Sequence, residues 1–188
     1  MDPNDFKPLI EILERTKVPI CTQRKNSGEG KTQPFGFINR RIRGVGPARQ
    51  NQKYPELYEA IKQISYKIKP DHNYTAFQLN VNYTAKPHID KNNFGESTTV
   101  SFGDFTGGEL VINDQEINTR YNPHTFEAFH TLHSVNPILS GTRYSLVLFR
   151  PKYYRDFLDT YGDDIFLSDM ELLIQSRKHM RYSDIRLV

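Results

Sequence analysis

Cysteine is almost absent: Cys21 is the only one in 188 residues. That excludes an internal disulfide and a zinc site built from several thiolates, and it fits a reducing compartment. Long apolar runs are also lacking, so no segment is expected to span a membrane. The opening stretch, MDPNDFKPLIEILERTKV, lacks the basic-then-apolar order of a secretory signal. The expectation is an intracellular protein, cytoplasmic or nuclear. There is no internal repeat and no low-complexity tract. What remains is a chain with 37% hydrophobic and 12% aromatic residues, too apolar for disorder and long enough to bury a core as a single domain over 1–188.

Net charge is only +3, but it is unevenly spread. Between Thr22 and Lys69 there are eleven Lys and Arg against three Glu. The densest part, INRRIRGVGPARQNQK, carries Arg40, Arg41, Arg43 and Arg49 beside Gly44, Gly46 and Pro47, so it reads as a loop. A solvated basic surface explains such a run; so does a polyanion-binding edge.

Leu9, Ile12 and Leu13 lie at helical spacing near the N-terminus. Residues 22–34 are polar and Gly-rich and predict a loop, and FGFINRRI predicts a strand. Over PELYEAIKQISYKI, Leu57, Ile61, Ile64 and Ile68 form one stripe, with Pro55 in the first turn and Pro70 beyond the end. From Tyr74 the period changes to alternation, and seven or eight short strands separated by Gly, Asn and Pro turns predict an antiparallel sandwich or jelly roll over about 74–150. After Pro151 two further helices are expected, YYRDFLDTYG and SDMELLIQSRKHM. The fold class is mainly β with flanking α: a β core packed by N- and C-terminal helices.

Within this β region, His88 and Asp90 sit at i and i+2, on one face of a strand. They offer a nitrogen and an oxygen to one cavity. Three histidines follow, His124, His130 and His133. Only His133 stands ten residues before Arg143, with a turn through Pro137 and Gly141 between them. That frame predicts His133 and Arg143 on neighbouring antiparallel strands. His130 is the alternative third ligand. His124 is expected to close a turn, and His72 and His179 to lie on the surface. Arg143 and Ser145 again share a face, where a guanidinium can grip a carboxylate with two parallel hydrogen bonds and the hydroxyl can add a third. Two His and one Asp form the facial triad of non-haem Fe(II) oxygenases; zinc on the same residues is the alternative metal.

His88-Ile89-Asp90, His133 and Arg143-Tyr144-Ser145 together resemble the 2-oxoglutarate- and Fe(II)-dependent dioxygenase superfamily, over roughly 74–150. The resemblance implies a double-stranded β-helix, with His88, Asp90 and His133 on Fe(II). It further implies 2-oxoglutarate held by Arg143 and Ser145, and O2 consumed in hydroxylating a C–H bond. By strand parity, in a strand without a bulge, Asn80 and Asn82 point with His88 and can bond the co-substrate or substrate, while Tyr83 faces away into the core; a bulge at Pro87 would reverse Tyr83. The L-N-x-N strand before the triad, the NN-x-G-x-S after it and GDFTGGEL are similar to the branch containing the methylcytosine dioxygenases and the thymine hydroxylases of base J synthesis. Gly107 and Gly108 read as a hairpin turn. This likeness implies a nucleic-acid base as substrate, with Arg40, Arg41, Arg43 and Arg49 on phosphates and Asn92 and Asn93 also at the substrate. The alternative is a protein or peptide hydroxylase of prolyl type, with Phe94, Tyr121 or Tyr144 beside an open groove. A non-catalytic β-sandwich binding module is the remote third reading.

Overall fold

A computed structural model describes residues 1–17, 28–39 and 45–153. After a 3-10 turn at Pro3–Phe6, helix α1 (Lys7–Arg15) buries Leu9, Ile12 and Leu13, the stripe expected of it. Strand β1 (Gly28–Asn39) then pairs with β2 (Val45–Pro47). The loop expected over 22–34 is corrected at 28–34, which belong to β1. Despite their polar composition, their backbone is paired along a neighbouring strand and Thr32 and Gln33 are buried. Residues 22–27 and the C-terminal helices expected after Pro151 lie outside the described residues. A short helix α2 (Arg49–Lys53) precedes α3 (Pro55–Ile68), which buries Leu57, Ile61 and Ile64 and half-buries Ile68.

Nine strands follow: β3 (Ala76–His88), β4 (Asn93–Phe102), β5 (Phe105–Gly107), β6 (Leu110–Ile112), β7 (Gln115–Ile117), β8 (His124–Phe126), β9 (His133–Val135), β10 (Ile138–Gly141) and β11 (Tyr144–Pro151). The main sheet runs β7-β6-β9-β3-β11-β4-β8, with β1 also on β3, and β5 and β10 pair apart from it. Strand β3 makes the curl. Its first half pairs with β11 and its last residues pair with β9, so one long strand serves both walls of the jelly roll. The sheet is covered on one side by helices: Leu146 and Leu148 of β11 and Phe77 and Leu79 of β3 join Phe6, Leu57 and Ile61 in the core. On the other side Ser145, Val147 and Phe149 face a cavity. Both faces are enclosed, which is why β3, β4 and β11 read as nearly continuous burial rather than alternation.

The structure moves His133 and Arg143 apart from the expected strand pairing. Strand β9 pairs with β3 and β6, while β11 pairs with β3 and β4, so β3 lies between them. The intervening β10 leaves for β5 instead of forming a hairpin.

His72 is another correction: it is buried, not on the surface. Its ring stacks between Tyr66 and Tyr74, with centroids 4.8 and 5.4 Å away. Nδ1 accepts the Tyr74 N–H at 3.1 Å, and Nε2 lies 3.0 Å from the Ser65 hydroxyl, which in turn donates to the Lys62 carbonyl. This arrangement requires a neutral ring. Burial, then the charge of Lys69, holds the His72 pKa down at about 4 from the usual 6.5. The unfolded chain binds the proton more readily, so the contribution of His72 to stability is full above about pH 6.5. It is lost as pH falls toward 4, by up to about 3 kcal/mol. Urea unfolding of wild type and His72→Asn across this range checks it. The asparagine oxygen can accept the Tyr74 N–H without titrating, so the variant is expected to have the shallower pH dependence. Parallel curves would remove His72 from the account.

Candidate metal centre

His88 ends β3 and His133 begins β9, and the two are direct register partners. Their ring centroids are 4.3 Å apart. Asp90 lies just past β3, with its backbone N–H tied to the Ala128 carbonyl at 2.8 Å. Asp90 Oδ1 is 3.6 Å from His88 Nε2, and Oδ2 is 4.0 Å from His133 Nε2. One ligand atom from each residue falls within 4.8 Å of the other two, the only such set among the described residues. His88 Nδ1 bonds the Lys86 carbonyl at 2.7 Å and His133 Nδ1 bonds the Thr131 carbonyl at 2.8 Å. A carbonyl only accepts, so both Nδ1 atoms carry the proton and both Nε2 lone pairs point at the shared space. That is the tautomer a metal requires. Burial lowers the His133 pKa and keeps that ring neutral, as a ligand must be. The edge of Phe126 packs on it at 5.0 Å.

The three residues open into a cavity of about 370 Å³ whose wall also includes Asn80, Arg143 and Ser145. Arg143, just before β11, is only 2% exposed. Its Nε is buried with no hydrogen-bond partner among the described residues. Burial holds its pKa down at about 10, below the usual arginine value, opposed by Glu109. Register places Ser145 opposite Asn80. The Asn80 amide nitrogen is 3.2 Å from the Ser145 hydroxyl, leaving Oδ1 buried without a partner. Turning the amide over lets the hydroxyl donate to Oδ1, a choice the hydrogen-bond network decides.

Two strand irregularities set which residues face inward. Asn82 is in the left-handed region at φ 47, and there β3 slips one residue against β1, so Asn82 and Tyr83 together oppose Gly30. A second slip lies between Ala85 and His88. The inward series therefore runs Asn80, Tyr83, Ala85, His88. Asn80 faces inward as parity predicts, because the two slips cancel. Asn82 is a correction: it lies outside this cavity, its Oδ1 accepting the Arg143 backbone N–H at 2.7 Å and its own N–H donating to the Arg143 carbonyl at 2.8 Å. Tyr83, expected to face away, lines the cavity, as does Gln78.

Other expectations shift as well. Gly107 and Gly108 form no hairpin, since β5 pairs with β10 while β6 pairs with β7 and β9. Both are at φ 73, and a Cβ on Gly108 would stand 2.6 Å from Arg143 Cδ, so this glycine makes room for the arginine. His124 sits in β8 opposite Thr99 rather than in a turn, and His130 is exposed beside Phe129. Asn92 lines the cavity and its carbonyl accepts from the Asn39 side chain at 2.9 Å. Asn93 also lines the cavity, with its NH2 group 3.2 Å from both Asp90 Oδ2 and Ser97 Oγ. Arg49 is exposed and does not line the cavity; Arg40, Arg41, Arg43 and His179 lie outside the described residues. Tyr144 and Tyr121 pack toward Phe102 and Phe6, and Phe94 lies under Arg150, so none of the three lines the cavity.

No protein-family model and no curated protein matches the chain. Solved structures do. NgTET1, solved in complex with 5mC DNA, superposes with TM-score 0.60 at 19% identity, over 80% of this chain and 68% of that one. An oxidoreductase of the 2OG-Fe(II) oxygenase family from Burkholderia pseudomallei gives TM-score 0.52 at 15% identity, over 79% of each chain. The collagen prolyl hydroxylase of Paramecium Bursaria Chlorella virus-1, solved with 2OG, gives 0.51 at 15%, over 79% of this chain and 90% of that one. The chain has their fold. The double-stranded β-helix expected from the sequence is the observed architecture, and the His-Asp-His cluster and Arg143 lie together inside it.

Proposed function

We propose that the chain is an Fe(II)- and 2-oxoglutarate-dependent dioxygenase that hydroxylates a C–H bond of a nucleic-acid base. One observation carries the catalytic part: two imidazole lone pairs and a carboxylate share one cavity with a buried guanidinium whose Nε has no hydrogen-bond partner among the described residues. His88, Asp90 and His133 would hold the metal. Arg143, helped by Ser145 and Asn80, would hold the far carboxylate of the co-substrate. Phe126, Val135 and Leu110 form an apolar wall that excludes water. The iron with 2-oxoglutarate and O2 supplies the oxidation; the side chains bind, orient and shield. Zinc alone would leave Arg143 without an anion, and a non-catalytic module would have no use for the cation.

The choice of a base rests on where the basic segment joins the fold. Asn39, the last described residue before 40–44, is bonded to Asn92 at the cavity wall, and Val45 on the other side pairs with Asn39. Asn39 and Val45 flank the sequence segment that carries Arg40, Arg41 and Arg43, and phosphates of a substrate whose base is flipped into the cavity would lie near these two described residues. The solved structure with DNA supports the same choice. Phe94, Tyr121 and Tyr144, expected at a peptide groove, do not line the cavity; its aromatics are Tyr83, Phe126 and Phe149.

The test is succinate formation with Fe(II), 2-oxoglutarate and separate pools of DNA, RNA and peptides. Stimulation by nucleic acid is expected; stimulation by peptides alone overturns the base reading, and no 2-oxoglutarate-dependent succinate with any pool overturns the activity. In a salt series on DNA binding, alanine at Arg40, Arg41 and Arg43 should flatten the slope of log affinity against log salt by about one unit per lost phosphate contact. Identical slopes remove the phosphate role.

A further inference from the structure

We propose that Asn93 is a positioning residue for the metal, holding one oxygen of Asp90 so that the carboxylate presents only the other to the cation. This rests on reading His88, Asp90 and His133 as a metal site. Asn93 is the first residue of β4 and is 7% exposed. Its NH2 group lies 3.2 Å from Asp90 Oδ2 and 3.2 Å from the hydroxyl of Ser97, which is fully buried. Its backbone N–H donates to the Asp90 carbonyl at 3.0 Å, and the Asp90 N–H donates to Ala128. Asp90 is therefore fixed at its backbone on both sides and at one carboxylate oxygen, and Oδ1 remains turned toward His88 Nε2 at 3.6 Å.

An oxygen that accepts an N–H bond is the weaker donor to a metal, and the bond stops the carboxylate from rotating to chelate through both oxygens. A one-oxygen ligand leaves an additional coordination position open, which a triad of this kind needs for co-substrate and oxygen together. The sequence suggests none of this, because the family likeness places Asn93 at the substrate.

Co(II) is the probe, read by calorimetry for affinity and by its visible spectrum for geometry, with near-ultraviolet circular dichroism as the check on folding. Wild type is expected to bind. Asn93→Ala is expected to bind about ten- to a hundredfold more weakly, the usual effect of losing an outer partner, and with an altered spectrum. Ser97→Ala, which removes only the second partner of the amide, is expected to keep the wild-type spectrum. If Asn93→Ala does not fold, Asn93→Ser, polar but too short to reach Oδ2, is read the same way. Wild-type affinity and spectrum in the Asn93 variant overturn the proposal. Failure of wild type itself to bind Co(II) overturns the metal site on which it stands.

Discussion

His133→Ala is expected to abolish Fe(II) binding and turnover, while His130→Ala and His124→Ala retain most of both. His133 is buried, directly opposite His88, with its Nε2 lone pair directed at Asp90 by the bond from Nδ1 to Thr131. Removing it leaves one nitrogen and one carboxylate, and the loss should exceed the roughly 10–100-fold that an outer partner costs. His130 is exposed with its ring against Phe129, and the ring of His124 lies against Phe126. Neither belongs to the convergent set. Metal affinity by titration and succinate release for the three variants, compared side by side, decide it. An inactive His130→Ala with an active His133→Ala would overturn the assignment.

Arg143→Met is expected to lose 2-oxoglutarate binding without losing stability. Holding a guanidinium in a site that lowers its pKa to about 10 penalises the charged form by about 3 kcal/mol. The group is protonated at neutral pH both folded and unfolded, so this penalty is present throughout the neutral range. It fades only as pH rises through about 10 toward the ordinary arginine value. A dicarboxylate that pairs with the guanidinium relieves it. At a hundredfold excess over its dissociation constant a ligand stabilises the fold by about 2.7 kcal/mol, which appears as a higher unfolding temperature. The methionine variant should show no such rise, and its ligand-free midpoint should equal or exceed that of wild type, because replacing a desolvated charge, whose Nε has no hydrogen-bond partner among the described residues, with an apolar chain removes a cost. Arg143→Lys keeps the charge but not the planar fork, so weakened binding is expected. A methionine variant that binds 2-oxoglutarate as wild type does would place the co-substrate elsewhere.

The sequence was most informative where spacing is local. His88 and Asp90 follow one strand end, and Ser145 is set opposite Asn80 by simple alternation. Helices α1 and α3 were legible for the same reason, since a stripe of apolar residues depends only on near neighbours. Legibility ended where one residue depends on a distant strand. The slip at Asn82 needs Gly30 across the ladder, so parity placed Asn82 inside and Tyr83 outside. Gly108 looked like a turn residue because the arginine that needs its space is far along the chain. His72 looked exposed because its partners come from helix α3 and the start of the β region, which only folding brings around it. Polar composition misled at 28–34 because pairing with β3, not hydrophobicity, makes that segment a strand.

The two slips in β3 behave like a pair of compensating frameshifts in a gene. Between them, Tyr83 and Ala85 are read in one phase; outside them, Asn80 and His88 are read in the other. Deleting the extra residue at either slip would restore a regular ladder and leave Asn80, Tyr83, Ala85 and His88 facing inward. Deleting one between the slips, where the ladder has no residue to spare, would turn the stretch beyond it over and separate the co-substrate side of the wall from the metal side. Deletions in this strand are therefore tolerated at the slips and not between them, and plain parity from His88 holds at Asn80 but fails at Tyr83 and Ala85.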